Sequence, residues 1–410
     1  VNNDELDLEY DEDQRNHHHI VPKFGGFRDK KNLRLKTTMM LYDQQEIFQN
    51  IPWRIVQQKH SNNSIRDALL DLTGGIKGHD DEDEEIDWVG TMGIPTDEVP
   101  ANVLNEIQVK LESDHHCYAV MPNDYTFNGA YFTFCKKTLW PILHYQLPTD
   151  DIPTPQNLEE NTAWEDYVEM NQLVADQCVK RYKENDTIWV HDYHLMLVPK
   201  MVRNVLPNAK IGFFHHVSFP SSELFRCLAH RNRILEGILG ANFVAFQSLE
   251  YLRHFLQTCN RILMADVTIP DKEIQYQGQI VNLAAIPMGI DPFRIQSRVI
   301  NDPRVNHWRN LIREKWDGMK LIMSRDSLDK IKGLVQKLKS YEMFLKDNPQ
   351  LIGKITLLQI CNISKVKDSI DLKRQVMIII DRINSLSVNI NIPPPVMFLQ
   401  QDLEMPQILA

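Results

Sequence analysis

The chain has 410 residues, 43% of them apolar and 24% charged, with a formal net charge of −10. That length allows two or three domains with their own cores, and the composition is that of an ordinary soluble globular protein. The acidic balance argues against a general affinity for nucleic acid or for an anionic membrane surface, while leaving local basic pockets open.

No apolar run reaches the length of a membrane span, and the acidic start is unlike a signal peptide. Six cysteines (Cys117, Cys135, Cys178, Cys227, Cys259 and Cys361) occur without a Cys-x-x-Cys pair. They read as the reduced thiols of a cytoplasmic protein, not as a zinc cage or a disulfide framework.

Residues 1–50 read as an acidic N-terminal extension too polar to bury itself. The histidines His17 to His19 lie within it and read as a solvated run, not a metal site. A second acidic run, Asp80 to Glu85, reads as an exposed linker. From about residue 110 the pattern becomes α/β. Thr162 and Glu165 stand at capping-box spacing and predict a helix start there. Trp164, Tyr167, Val168, Val174, Cys178 and Tyr182 fall near one face of that helix.

The strand "TIWVHD" follows, then the helix "HLMLVPKMVRNVL", the strand "KIGFFHHV", the helix "SSELFRCLAHRNRILEGIL" and the strand "NFVAFQ". A second alternation starts near residue 318. It runs through "MKLIMS", "LVQKLKSYEMFLKDNP", "GKITLLQI", "IDLKRQVMIIIDRIN", "PPPVMFL" and "EMPQILA". Strands alternating with helices predict parallel sheets covered on both faces, in two open α/β units with a ligand cleft between them.

In such sheets ligands bind beyond the carboxyl ends of the strands. Two strands end in ionisable residues there: His191, Asp192 and His194 on one, His215 and His216 on the next. A metal is disfavoured, because adjacent histidines on a strand point to opposite sides and no Cys or Glu completes a set. His191 and His215 are expected to be hydrogen-bonded packing residues. Asp192 and His216 are expected to face a cleft, where they could orient hydroxyls or stabilise a developing charge. The loop "SRDSLDKIKG", residues 324–333, has the basic character of a phosphate grip.

The strings "WVHDYHLMLVPKM", "NAKIGFFHHVSFPSSELFRCL", "ILEGILGANFVAFQ" and "IPMGIDP" together resemble the trehalose-6-phosphate synthases, and the match continues through "LDKIKGLVQKLKSYEMFLKDNP". The resemblance runs from about Asn105 to the end. It implies a GT-B glycosyltransferase fold of two Rossmann-like, doubly wound domains. These are expected over 51–295 on the acceptor side and over 296–410 on the nucleotide side, the second incomplete. It also implies transfer of glucose from UDP-glucose to glucose 6-phosphate, without metal or other cofactor.

On the acceptor side the resemblance assigns Tyr131 and Trp140 to the glucose 6-phosphate pocket. Asp192 falls at the position that contacts acceptor hydroxyls, and His216 at the position that contacts the donor sugar. Two Asn positions of that pattern are Phe132 and Lys136 here. The donor side departs further. The "S-N-R-L-P" loop is absent, Thr91 replaces an aromatic residue, and Lys332 is kept while the phosphate-clamping Arg is Ser327. A second Arg is Lys365, and the uridine-diphosphate loop is missing.

Losing one preorganised charge-stabilising donor typically slows a reaction roughly a hundred- to thousandfold. The expectation is therefore a non-catalytic, synthase-like regulatory or scaffold subunit, similar to those of the fungal trehalose synthase/phosphatase complex. Its expected partners are the synthase and phosphatase subunits, with residual sugar-phosphate binding at its vestigial sites. The alternatives are an active synthase, or the synthase-like domain of the phosphatase subunit.

Overall fold

The structure, a computed structural model, describes residues 53, 55, 86–146, 156–268, 270–362, 369–387 and 392–410. The acidic extension, the run from Asp80 to Glu85 and Lys365 lie outside the described residues. The chain divides into two units, the first ending at Met288 and the second starting at Gly289.

The first unit opens with β1 (Trp88–Thr91), α1 (Ala101–His115) and β2 (Cys117–Val120), whose two strands pair in parallel. Val103, Ile107 and Leu111 repeat every four residues along α1 and are buried with Met92. This is the spacing of one helical face. Next comes α2 (Asp124–Phe127), capped by Asn123, whose side chain accepts the Thr126 N–H at 2.8 Å. It leads into a π-helix (Asn128–Leu139) and then α3 (Trp140–Leu143).

Helix α4 (Gln156–Arg181) begins before Thr162, so Thr162 and Glu165 lie inside it and do not open it. Nothing between residues 156 and 161 breaks a helix, and the proline at position 155 suits a helix start. Its expected inner face is correct: Trp164, Tyr167 and Val174 are buried, with Val168, Cys178 and Tyr182 packed against the same core.

The main sheet follows: β3 (Thr187–His191), a 3-10 turn (Tyr193–Leu195), α5 (Val198–Val205), β4 (Lys210–His215), α6 (Ser222–Phe225), α7 (Arg231–Ile238), β5 (Phe243–Phe246), α8 (Leu249–Leu263), β6 (Asp266–Thr268), β7 (Glu273–Tyr276) and β8 (Gln279–Ala285). The six strands lie in the order β3-β4-β5-β8-β7-β6. The first four run parallel as expected, while β6 and β7 add an antiparallel edge. Gln277 and Gly278, both at positive φ, make the two-residue turn between β7 and β8.

The segment read as one helix over 221–239 is two, α6 and α7, because the chain turns between them to bury both Phe225 and Leu228. Phe213, Phe219, Phe225, Phe246 and Phe255 are all fully buried in this unit. Each contributes about 1.5–3 kcal/mol of burial free energy.

The second unit holds α9 (Pro292–Asn301), α10 (Pro303–Lys315), β9 (Lys320–Ser327), a 3-10 turn (Lys330–Lys332), α11 (Leu334–Asp347), β10 (Ile355–Asn362), α12 (Ser369–Asn384), β11 (Val396–Gln400) and α13 (Met405–Leu409). The boundary expected at 295/296 falls inside α9. The strands form a parallel sheet in the order β11-β10-β9, the 3-2-1 half of a doubly wound arrangement. Central β10 is buried on both faces. Leu357 and Cys361 pack with α11 and α12, while Leu358 and Ile360 pack with Trp316 and Leu403.

Helices α11 and α12 are also joined by charge. Glu342 on α11 accepts Arg382 Nε at 2.7 Å and the Arg382 Nη2 donor, and it accepts Lys346 Nζ at 2.6 Å. Arg382 first, then Lys346, hold the Glu342 carboxyl down to about 2, from an ordinary 4.5. Because the folded value lies below the unfolded one, this stabilisation is full above pH 4.5 and disappears as pH falls towards 2. Glu342→Gln should therefore reduce the proton uptake that accompanies acid unfolding by up to about one proton in that window. Equal acid-unfolding slopes for the two proteins would refute this.

Among the described residues no helix is long and apolar enough to cross a membrane.

Candidate functional site

The site grows from the end of β3. The chain leaves the sheet at Asp192 with φ 68° and ψ 173°, a conformation close to glycine-only that costs about 1–3 kcal/mol in other residues. Neighbouring bonds hold it there. The Asp192 N–H donates to the Phe214 carbonyl at 2.7 Å, and Asp192 Oδ1 accepts the His216 N–H at 3.2 Å.

Helix α4 fixes the turn that follows. Tyr167 Oη donates to the Tyr193 carbonyl at 2.9 Å and accepts the Met196 N–H at 3.1 Å. Asn171 Nδ2 donates to the His194 carbonyl at 3.1 Å, while its Oδ1 accepts the Leu197 N–H at 3.1 Å.

The π-helix supplies the other wall. Its i→i+5 hydrogen bonding sets residues five apart on the same side, which an α-helix would not. Tyr131 and Lys136 therefore share a side, and Trp140 joins them at the start of α3. Lys136 Nζ lies 5.1 Å from the centroid of the Tyr131 ring, 4.9 Å from Trp140 and 5.6 Å from Tyr193. It also donates to Tyr193 Oη at 2.9 Å. An ammonium among aromatic faces is held by their quadrupoles as well as by the hydrogen bond.

The His194 ring stacks on Tyr131 with centroids 5.4 Å apart and lies 3.9 Å from the Tyr193 ring. His194 Nδ1 is 3.9 Å from Asp192 Oδ2. Both His194 ring nitrogens are buried without a hydrogen-bond partner among the described residues.

The contacts thus link Trp140, Lys136, Tyr131, His194, Asp192 and His216 in one cluster. Asp192 is 5% exposed, while His216 is half-buried. His191 and His215 are buried as expected. His191 Nδ1 meets His216 Nε2 at 3.0 Å, and His215 Nε2 meets the Ser218 carbonyl at 3.2 Å.

Burial sets the protonation states. It holds His216 down to about 4 against the opposing pull of Asp192, and His215 to about 4 against the Ser218 carbonyl. Burial also holds His191 to about 2 and His194 well below the usual imidazole range, with Lys136 acting in the same direction on His194. Burial raises the Asp192 carboxyl, and His216 works against it. At neutral pH these four rings are uncharged, so the cluster's positive charge is the Lys136 ammonium. Among the described residues no three His, Cys, Asp or Glu side chains converge as a metal site.

In the second unit the strand β9 carries the opening "SRDS" of "SRDSLDKIKG", ending at Ser327, which is half-buried beside Asn362 of β10. Arg325 is exposed, as is Lys332 at the end of the 3-10 turn, and Gly333 follows at φ 66°. Asp326 is engaged by Lys337 of α11, and the fully buried Gln359 donates to the same carboxylate oxygen at 3.1 Å. Burial pushes the Asp326 carboxyl up, but Lys337, Gln359 and Ser324 together hold it below its ordinary value. Lys337 and Gln359 were not legible as site residues, since their distance from Asp326 in sequence hides the contact. Nor was Tyr193, and Lys136 stood out only as a departure from the Asn of the family pattern.

The family model for glycosyltransferase family 20 matches residues 40–410. The chain is 51% identical over 405 residues to the trehalose synthase complex regulatory subunit TSL1 of Saccharomyces cerevisiae, covering 98% of this chain and 36% of that protein. It is 49% identical over 409 residues to the regulatory subunit TPS3 of the same yeast, covering 99% of this chain and 37% of that one. It therefore spans little more than a third of the length of these relatives.

Among solved structures, the N-terminal domain of Candida albicans trehalose-6-phosphate phosphatase matches with a TM-score of 0.74 at 30% identity, covering 86% of this chain and 72% of that one. The chain belongs to glycosyltransferase family 20, and its fold is of the GT-B type.

Proposed function

We propose that this chain is the synthase-like part of a non-catalytic regulatory subunit of a trehalose synthase complex, which docks on the synthase and phosphatase subunits in the cytoplasm and tunes them. The reading uses no metal and no cofactor. The observation that carries it is the missing charge at the end of β9. Transfer from UDP-glucose releases a diphosphate, which positioned cations must stabilise without a metal. Here the half-buried Ser327 offers a neutral hydroxyl, and the nearby Lys337 is already paired with Asp326. Lys332, which is exposed, and Lys365 keep point charges, without the forked geometry of Arg. The strong identity to two yeast regulatory subunits supports the same reading.

The cluster of Tyr131, Trp140, Asp192 and His216 is, on this reading, a vestigial sugar-phosphate pocket. A second reading, the synthase-like domain of the phosphatase subunit, is favoured by the likeness to the Candida albicans N-terminal domain. An intact D-x-D-x-T phosphatase motif downstream in the gene product would select it.

The test titrates the protein with UDP-glucose and assays glucosyl transfer to glucose 6-phosphate, alone and with synthase and phosphatase subunits added. The isolated chain should bind the donor weakly and transfer nothing, while altering the activity of the added subunits. Turnover by the isolated chain would overturn the non-catalytic reading and select an active synthase.

A further inference from the structure

We propose that Lys136 is a built-in occupant of the aromatic pocket between Tyr131, Trp140 and Tyr193, and that it keeps the pocket closed to a phosphorylated sugar. The proposal rests on the reading of that pocket as a vestigial sugar-phosphate site, and adds what controls it.

The geometry points to occupation and not to a lysine poised at the rim. The ammonium lies 4.9–5.6 Å from three ring centroids and donates inward, to the hydroxyl of Tyr193, which is 1% exposed. Phe127 and His194 already stack on the Tyr131 ring, with centroids 5.5 and 5.4 Å away, so the face left for a sugar ring is that of Trp140, with the sugar atoms roughly 3.5–4 Å above it. With the ammonium 4.9 Å from the Trp140 centroid, no stacked ring fits between the two, so Lys136 and a ring on that face exclude each other.

The floor of the pocket is built for a polar guest that Lys136 does not satisfy. Both His194 nitrogens are buried and lack a hydrogen-bond partner among the described residues, and Asp192 Oδ2 lies 3.9 Å from one of them. Buried polar atoms are rarely left so. Lys136 brings three donors and no acceptor, so it leaves an uncharged His194 N–H unanswered; sugar hydroxyls both donate and accept. The aromatic faces, the orphan imidazole and the carboxylate together describe a site for a hydroxylated ring. The π-helix, by setting Lys136 five residues from Tyr131, puts the side chain into it.

The test is calorimetric titration of glucose 6-phosphate into the wild-type protein and into Lys136→Ala, Lys136→Ser and Lys136→Met. The wild type should show no saturable binding at millimolar ligand. The two small replacements should bind at least about tenfold more tightly. Lys136→Met, which refills the space without charge, should stay closed. In the wild type, the ε-methylene protons of Lys136 should resonate upfield of free lysine because of the ring currents, and added glucose 6-phosphate should not move them.

Wild-type binding that is weakened by Lys136→Ala would overturn the plug, making Lys136 an anchor for the phosphate, and would leave the pocket reading intact. Absence of binding in both folded small-residue variants would overturn the pocket together with the plug. Neither outcome touches the regulatory reading, which is decided by the effect on the partner subunits.

Discussion

Gly240→Ala should destabilise the protein by at least the upper end of the 1–3 kcal/mol usual for overpacking a core. Gly240 is buried between α7 and β5, and a Cβ there would sit 2.3 Å from the Lys200 nitrogen and 2.4 Å from the Lys200 Cα. Those are backbone atoms of the first turns of α5, so no side chain can swing aside to make room.

Gly237 is similar, with the Met196 carbonyl oxygen 2.4 Å from where its Cβ would be. Gly237 lets α7 lie directly on the end of the turn that carries Tyr193 and His194, and Gly240 lets the chain after α7 lie on the first turn of α5. A methyl group at Gly237 pushes on the site turn as well as on the core, and one at Gly240 pushes on α5. Gly212→Ala serves as the control, since its Cβ would meet Trp189 Cδ1 at an ordinary 3.5 Å. Thermal or urea melts of the two variants should differ by the stated energy; equal midpoints would show that α5 yields freely and that the close approach is unimportant.

The core strands were the most legible part of the fold, because their apolar runs are bounded by polar residues at each end. The Val190, Phe213 and Val244 row of the first sheet and the doubly buried β10 follow directly from such runs. Legibility failed where a long-range contact overrides a local signal. The capping box at Thr162 is locally sound, yet the helix continues through it from Gln156. The antiparallel edge of β6 and β7 hangs on short strands with weak apolar content and on a turn at Gln277 and Gly278.

The site shows the same division. Asp192 and His216 follow from strand ends, a rule of sheet topology. The cage around Lys136 depends on a π-helix, whose period no apolar pattern in "NGAYFTFCKKTL" announces. The Asp326, Lys337 and Gln359 cluster joins three elements that only the packed sheet brings together. A sequence therefore tells which residues reach the ligand side of a sheet more readily than what meets them there.

Asn171→Leu should cost about 2–4 kcal/mol, and more of that cost should fall on the site than on the helix that carries the residue. Asn171 is fully buried on α4, with Nδ2 donating to the Tyr167 and His194 carbonyls and Oδ1 accepting the Leu197 N–H. Leucine fills a similar volume and suits a helix, so packing and propensity change little. What changes is that the Leu197 N–H and the His194 carbonyl lose their partner inside the protein, each at about 1–3 kcal/mol.

Relaxation would then require the 193–197 turn to move away from α4, carrying Tyr193 from Lys136 and releasing the strained Asp192. The ring-current shift of the Lys136 ε-methylene should shrink in Asn171→Leu, and glucose 6-phosphate should gain access without any change at Lys136 itself. Asn171→Asp separates the polar from the steric part. Its carboxylate retains the acceptor for Leu197 but loses the donor and buries a charge, so at neutral pH it should be less stable than Asn171→Leu. Below the raised pKa of that buried acid, protonation restores a donor and removes the charge, so the order should reverse as the pH is lowered. Urea melts at neutral and mildly acid pH measure this directly. An order independent of pH would mean that shape, and not hydrogen bonding, is what Asn171 contributes to the turn.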